Sequence, residues 1–190
     1  MQGDPHHFPI FGHRGSPRRL RENTIDSFEG ALREGADGFE TDLRLLADGV
    51  AVLFHDDELN GRPVETLTSA VVPAPRVRDL ARFAGHATMI LEVKRGNWVD
   101  ALLQEIGAWQ KIVVASFDHS LIAELARRKV HFPLGITVSG VIDTFLLLLI
   151  GIGPKLALVP FLGITASLDP ADKRRVLRKM LVTAATVATP

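Results

Sequence analysis

The chain has 190 residues, 46% of them hydrophobic, which is enough for one substantial buried core and reads as one domain rather than two. Its 22 basic and 22 acidic residues leave a formal net charge of zero, which argues against nucleic acid as the main partner, because that would call for a basic surface. The lack of cysteine excludes disulfides and thiolate metal sites and leaves the compartment open.

The N-terminal stretch Met1-Gln2-Gly3-Asp4-Pro5-His6-His7 has no basic region followed by an apolar run, so no secretory signal is expected and the expected compartment is the cytoplasm. A first strand is predicted over 8–13, with Phe8, Ile10 and Phe11 apolar and His13-Arg14-Gly15 at its end. A helix is predicted over 24–34: Asn23 or Thr24 caps it, Ile25, Phe28, Ala31 and Leu32 form its apolar stripe, and Gly35 ends it. Strands follow over 38–43 and 50–55, joined by a tight turn at Asp48-Gly49. So short a link would make them antiparallel, and the direction of the later strand is left open. Segment 56–87, with Gly61, Pro63, Pro73 and Pro75, is loop-rich, with a helical stretch from Val77 to Phe83.

A strand over 88–94, a helix over about 97–108, a strand over 111–116, a helix over 119–129 and a strand over 133–137 continue the pattern. Such alternation predicts a parallel sheet closed by right-handed crossovers. From Val141 the sequence turns strongly apolar, through Phe145 to Ile152. A membrane span needs about 20 apolar residues, and Asp143 and Pro154-Lys155 bracket this run more tightly than that. A buried barrel helix is therefore expected, with a membrane-surface patch as the runner-up. Leu156 to Val159 reads as a seventh strand, Asp169-Pro170 opens a basic helix through Met180, and Leu181 to Thr189 fits an eighth strand.

Two strands place chemistry on one face. Residues two apart in a strand point the same way, so Glu40 with Asp42, and Glu92 with Lys94, project together into one site. His13-Arg14 and His55-Asp56 stand at the ends of two more apolar runs, and a parallel barrel gathers its functional groups in this way. A lone Glu-x-Asp or Glu-x-Lys is more often a solvated face. Here the flanks Phe39, Leu43, Ile90 and Leu91 suggest strands covered by helices, where an inward charge needs a partner. Glu22 is read mainly as structural, and His6, His7, His86, His119 and His131 as surface or loop residues.

The ordered set Gly12-His13-Arg14-Gly15, Glu22-Asn23-Thr24, Glu40-Thr41-Asp42, His55-Asp56 and Glu92-Val93-Lys94 resembles the glycerophosphodiester phosphodiesterase family. Each motif alone is weak, and the order over residues 10 to 94 is specific. A weaker match runs through Ala115-Ser116-Phe117-Asp118 and Pro133-Leu134-Gly135 and fades beyond Gly140. The resemblance implies an α/β fold, a (β/α)8 TIM barrel, with a short lid or insertion at about 56–87, forming a single domain over 1–190. It implies hydrolysis of glycerophosphodiesters to glycerol 3-phosphate and an alcohol. Carried over by position, Glu40, Asp42 and Glu92 hold one divalent cation, His13 and His55 are the acid/base pair, and Arg14 and Lys94 hold phosphate oxygens. A glycerol hydroxyl of the substrate serves as nucleophile, giving a cyclic phosphate that water opens.

These residue types suit that chemistry. A phosphodiester gains negative charge on its oxygens as it is attacked, so positive charge must be waiting there. An all-carboxylate set favours Mg²⁺ or Ca²⁺ over zinc. Histidine titrates near neutrality, so one ring can take a proton while the other gives one. Arg14 offers a planar fork and Lys94 a compact point charge.

Family members carry a Trp-Thr-Val-Asn motif and another helix where this chain has Ala185-Thr186-Val187-Ala188 and then Pro190. The expectation is a barrel incomplete at its C-terminus, with a wider pocket, weaker substrate binding, and self-association or membrane-surface contact. Two alternatives stand beside the leading reading: a lysophospholipase D or sphingomyelinase D-like lipid phosphodiesterase, which the apolar stretch 144–164 would suit, and a truncated relative that binds phosphodiesters or lipids without catalysis. Intact His13 and His55 argue against the last.

Overall fold

A computed structural model describes residues 8–137. The elements in chain order are β1 (Phe11–His13), α1 (Ile25–Arg33), β2 (Gly38–Leu45), β3 (Ala51–Leu53), β4 (Glu58–Leu59), β5 (Arg62–Pro63), two 3-10 helices (Val64–Thr66 and Val77–Phe83), β6 (Thr88–Val93), α2 (Val99–Ile106), β7 (Ile112–Ser116), α3 (His119–Arg127) and β8 (Leu134–Ile136). Strands β1, β2, β6, β7 and β8 lie side by side in that order, all parallel, with α1, α2 and α3 in the connections between them. This is the alternation of a (β/α) barrel. The apolar helix from Val141, the strands at 156–159 and 181–189, the basic helix to Met180, the Ala185 to Ala188 segment, and His6 and His7 lie outside the described residues. Among the described residues no helix is long and apolar enough to cross a membrane.

Alternation along each strand separates two faces. Phe39, Thr41 and Leu43 on β2, Met89, Leu91 and Val93 on β6, and Ile112, Val114 and Ser116 on β7 are buried. Phe28 of α1, Leu102 and Ile106 of α2 and Leu125 of α3 join them in one core. Phe28 stacks on Phe39 at 4.1 Å between centroids, and Phe83 meets the two edge-on at 6.2 and 5.0 Å. Such pairs add about 0.5–1.5 kcal/mol each beyond the apolar area they bury. They tie α1 and the second 3-10 helix to β2 on the face opposite Glu40.

Helix α1 forms where its capping residues dictate. The Thr24 hydroxyl accepts the Ser27 N–H at 3.3 Å, which selects Thr24 over Asn23 as the cap. At the other end the N–H groups of Gly35 and Ala36 donate to the carbonyls of Leu32 and Ala31, and Gly35 takes the left-handed φ of +95° that this closure requires. The Asp118 carboxylate caps α3 by accepting the N–H groups of Ser120 and Leu121.

Three expectations change. The first strand begins at Phe11, because its partner β2 begins at Gly38 and the chain before Phe11 has no ladder to join; Phe8 and Ile10 are exposed. The strand predicted over 50–55 covers only Ala51–Leu53 and runs antiparallel to β2, as the Asp48-Gly49 turn suggests. The Phe54 N–H still donates to the Asp42 carbonyl of β2, the Leu53 N–H donates to the Pro75 carbonyl on the other edge, and His55 stands on the loop beyond. Segment 56–87 is more structured than its loop-rich composition implies. It carries a β4–β5 hairpin turning at Asn60-Gly61 and a second small core, in which Val64, Leu67 and Val72 pack with Leu46 and Val52.

Candidate active site

The β2–β6 register sets Asp42 opposite Glu92, and the β1–β2 register sets His13 opposite Glu40. Glu40, Asp42 and Glu92 each bring one carboxylate oxygen to within 4.8 Å of the others. The His13 Nε2 lies 3.7 Å from Glu40 Oε2. Lys94, one residue past β6, places Nζ 2.7 Å from Asp42 Oδ1 and against Glu92 Oε1. Strand register alone thus brings together five of the seven residues singled out from the sequence.

Arg14 joins them through a strained turn. Its φ is +55°, an uncommon conformation for a residue with a Cβ that typically costs 1–3 kcal/mol. Three hydrogen bonds hold it there: the Arg14 N–H donates to Glu40 Oε2 at 3.2 Å, and its carbonyl accepts from the Ser27 hydroxyl and the Asn23 N–H, both at 3.2 Å. Gly15 follows with φ +90°, and any Cβ on it would collide with Ser27 at under 3 Å. The guanidinium pairs with Glu22 at 3.2 Å, and its Nε comes 3.2 Å from Asp42 Oδ2 without the alignment of a hydrogen bond. That Nε–H is therefore a buried donor lacking an acceptor.

Sequence reasoning undervalued two residues. Glu22, read as mainly structural, orients Arg14. Asn23, weighed only as a helix cap, is buried with its amide donating to Asp42 Oδ2 at 2.9 Å and its side-chain oxygen accepting from the Thr41 hydroxyl at 2.8 Å. The motif Glu22-Asn23-Thr24 holds both residues together with the helix cap.

His55 reaches the site region differently. It lines a cleft of roughly 140 Å³ with Glu22, Asn23, Asp56 and Pro73 to Pro75, so segment 56–87 does wall this side. Its Nδ1 lies 2.8 Å from Asp56 Oδ1, which orients the ring and leaves Nε2 for other work. His86, His119 and His131 are exposed, as expected.

Electrostatics test whether a cation fits. Glu22, Glu40, Asp42 and Glu92 face Arg14 and Lys94, so two negative charges stand uncompensated, the charge of one divalent ion. Burial, with Asp42 and Glu92 alongside, pushes the Glu40 carboxyl up from 4.5 to about 7. Burial also opposes ionisation of Asp42, yet hydrogen bonds from Lys94 and Asn23 outweigh it and hold that carboxyl below the usual range. Lys94, against burial, is held above its ordinary value by Asp42 and Glu92. The donor set is hard oxygen throughout, which suits Mg²⁺ or Ca²⁺. The residues present fit such an ion.

Residues 13–81 match the model of the glycerophosphoryl diester phosphodiesterase family. A glycerophosphodiester phosphodiesterase of Bacillus altitudinis is 49% identical over 51 residues, which are 27% of this chain and 21% of that one. The fold is similar to that of a glycerophosphodiester phosphodiesterase from Thermotoga maritima, with a TM-score of 0.63 and 24% identity over 72% of this chain and 64% of that one. It is also similar to an Oleispira antarctica phosphodiesterase solved in complex with the product sn-glycerol-3-phosphate, with a TM-score of 0.62 and 20% identity over 70% of this chain and 67% of that one. The chain thus spans less than two thirds of the first two relatives. The matched segment carries His13, Arg14, Glu40, Asp42 and His55, so the similarity to the glycerophosphoryl diester phosphodiesterase family falls on the residues that build the site.

Proposed function

We propose that the chain hydrolyses glycerophosphodiesters to glycerol 3-phosphate and an alcohol. The observation that carries this reading is the convergence of Glu40, Asp42 and Glu92 with His13 and Arg14 at adjoining strand ends. The Oleispira antarctica relative, with sn-glycerol-3-phosphate bound, supports the product class.

Glu40, Asp42 and Glu92 would hold one Mg²⁺ or Ca²⁺, which when bound supplies Lewis acidity and a template for the phosphate. Arg14 is proposed to hold a phosphate oxygen, and Glu22 keeps its guanidinium in place. Lys94 is proposed to hold a second phosphate oxygen, its positive charge secured by Asp42 and Glu92. His13 and His55 act as a pair. One removes the proton from the glycerol hydroxyl as its oxygen bonds to phosphorus, and the other protonates the departing alkoxide. With the roles exchanged, water adds to the cyclic phosphate and one ring P–O bond breaks, giving glycerol 3-phosphate. The lipid-phosphodiesterase alternative rests on segment 144–164, which lies outside the described residues.

The test is release of glycerol 3-phosphate from glycerophosphocholine, in EDTA and with Mg²⁺ or Ca²⁺ restored. Release is expected with the cation and none with the chelator. Binding of glycerophosphocholine without release under every cation would instead establish the non-catalytic relative.

A further inference from the structure

His55 is set by a buried arginine that no part of the reaction uses. Arg44 lies two residues beyond Asp42 on β2 and is 7% exposed. Its Nη2 and Nε donate to the backbone carbonyl of His55 at 2.8 and 3.3 Å, and Nη2 also pairs with Asp57 Oδ1. The backbone is fixed on the other side too, because the Phe54 N–H donates to the Asp42 carbonyl at 3.0 Å. Thus β2 grips the chain on both sides of the point where it leaves the ladder.

The energetics favour a specific purpose. A buried guanidinium is costly to desolvate and is tolerated only where its donors are met. Asp57, 94% exposed on its side chain, supplies charge without needing burial, and the His55 carbonyl supplies an acceptor whose position matters. The rigid fork of Arg44 reaches both at once, which one lysine ammonium on a flexible stem does less well.

We infer that Arg44 is a positioning residue for His55: by fixing the His55 carbonyl and the Asp57 carboxylate, it sets where the imidazole stands at the mouth. This rests on the reading of His55 as a proton-transfer group. A misplacement of about 1 Å at a reacting group can cost about 100-fold in rate, whereas phosphate and cation contacts on the strands do not pass through Arg44.

The experiment compares wild type, Arg44→Met, Arg44→Lys and Asp57→Asn by glycerophosphocholine kinetics, by Mn²⁺ affinity, and by the line width and position of the His55 ring resonance. For Arg44→Met, kcat should fall roughly 100-fold with KM and Mn²⁺ affinity nearly unchanged, and the His55 resonance should shift and broaden. Arg44→Lys should recover part of kcat, and Asp57→Asn, altered at an exposed side chain, should lose several-fold. If Arg44→Met does not fold, the Lys and Asn variants carry the same two readouts. Unchanged kcat and an unchanged His55 resonance in the folded variants would overturn the inference. A wild type without hydrolysis would instead defeat the functional reading, and the His55 resonance would still decide whether Arg44 sets the ring.

Discussion

Glu40, Asp42 and Glu92 stand on two paired strands whose register fixes their spacing, while His55 stands on a loop two residues past β3, held by the Arg44 bonds to its carbonyl and by the contact of its own ring with the Asp56 carboxylate. The carboxylate side is therefore built into the sheet, so any change that keeps the ladder keeps the cluster. The histidine side is built from single contacts, each of which one substitution can remove. Cation binding and proton transfer should accordingly fail independently.

The largest contrast comes from breaking each side in turn. Asp42→Asn should abolish Mg²⁺ or Ca²⁺ binding by titration calorimetry and take turnover with it, whereas His55→Ala should lower kcat by about 10²–10⁴-fold while leaving cation affinity in place. Loss of cation affinity in His55→Ala would show that the two sides are one unit and end the contrast.

A smaller effect sharpens it. Asn23 touches the carboxylate side from a turn rather than a strand, through its amide bond to Asp42. Removing such a supporting contact typically costs 10–100-fold in metal affinity, so Asn23→Ala should weaken cation binding by that much without moving Arg44 or His55. If Asn23→Ala binds the cation as wild type does, the strand register by itself orients Asp42.

The smallest effect is read in stability. The Glu40 carboxyl rises from 4.5 when unfolded to about 7 when folded, so between those values the folded state binds more protons. Its contribution to stability is then fully present below pH 4.5 and is lost as pH rises through about 7. The slope cannot exceed about 1.4 kcal/mol per pH unit for one proton. Asp42, held low, works the other way and loses its contribution only as pH falls below the usual carboxylate range. Thermal unfolding in EDTA should show stability falling from pH 5 to pH 7, and added cation should remove the fall. A flat profile in EDTA would mean that Glu40 already carries its charge without a cation.

The sequence by itself determined much of the carboxylate side. Side chains alternate with a period of two along any strand, so Glu40 with Asp42 and Glu92 with Lys94 were bound to share faces once Phe39, Leu43, Ile90 and Leu91 marked those segments as covered strands. Helix α1 was legible for a similar reason, since its caps and its apolar spacing are local. Tertiary structure alone decided the rest. Whether Asn23 caps a helix or supports Asp42 depends on a partner 19 residues away, and so does not show in any local pattern. The strand over 50–55 spans only Ala51–Leu53 in the fold, and His55 stands not at a strand end but on a loop held by Arg44. Period and capping are written in neighbouring residues, whereas buried polar groups choose partners by where the folded chain brings them, because each must be satisfied once water is gone.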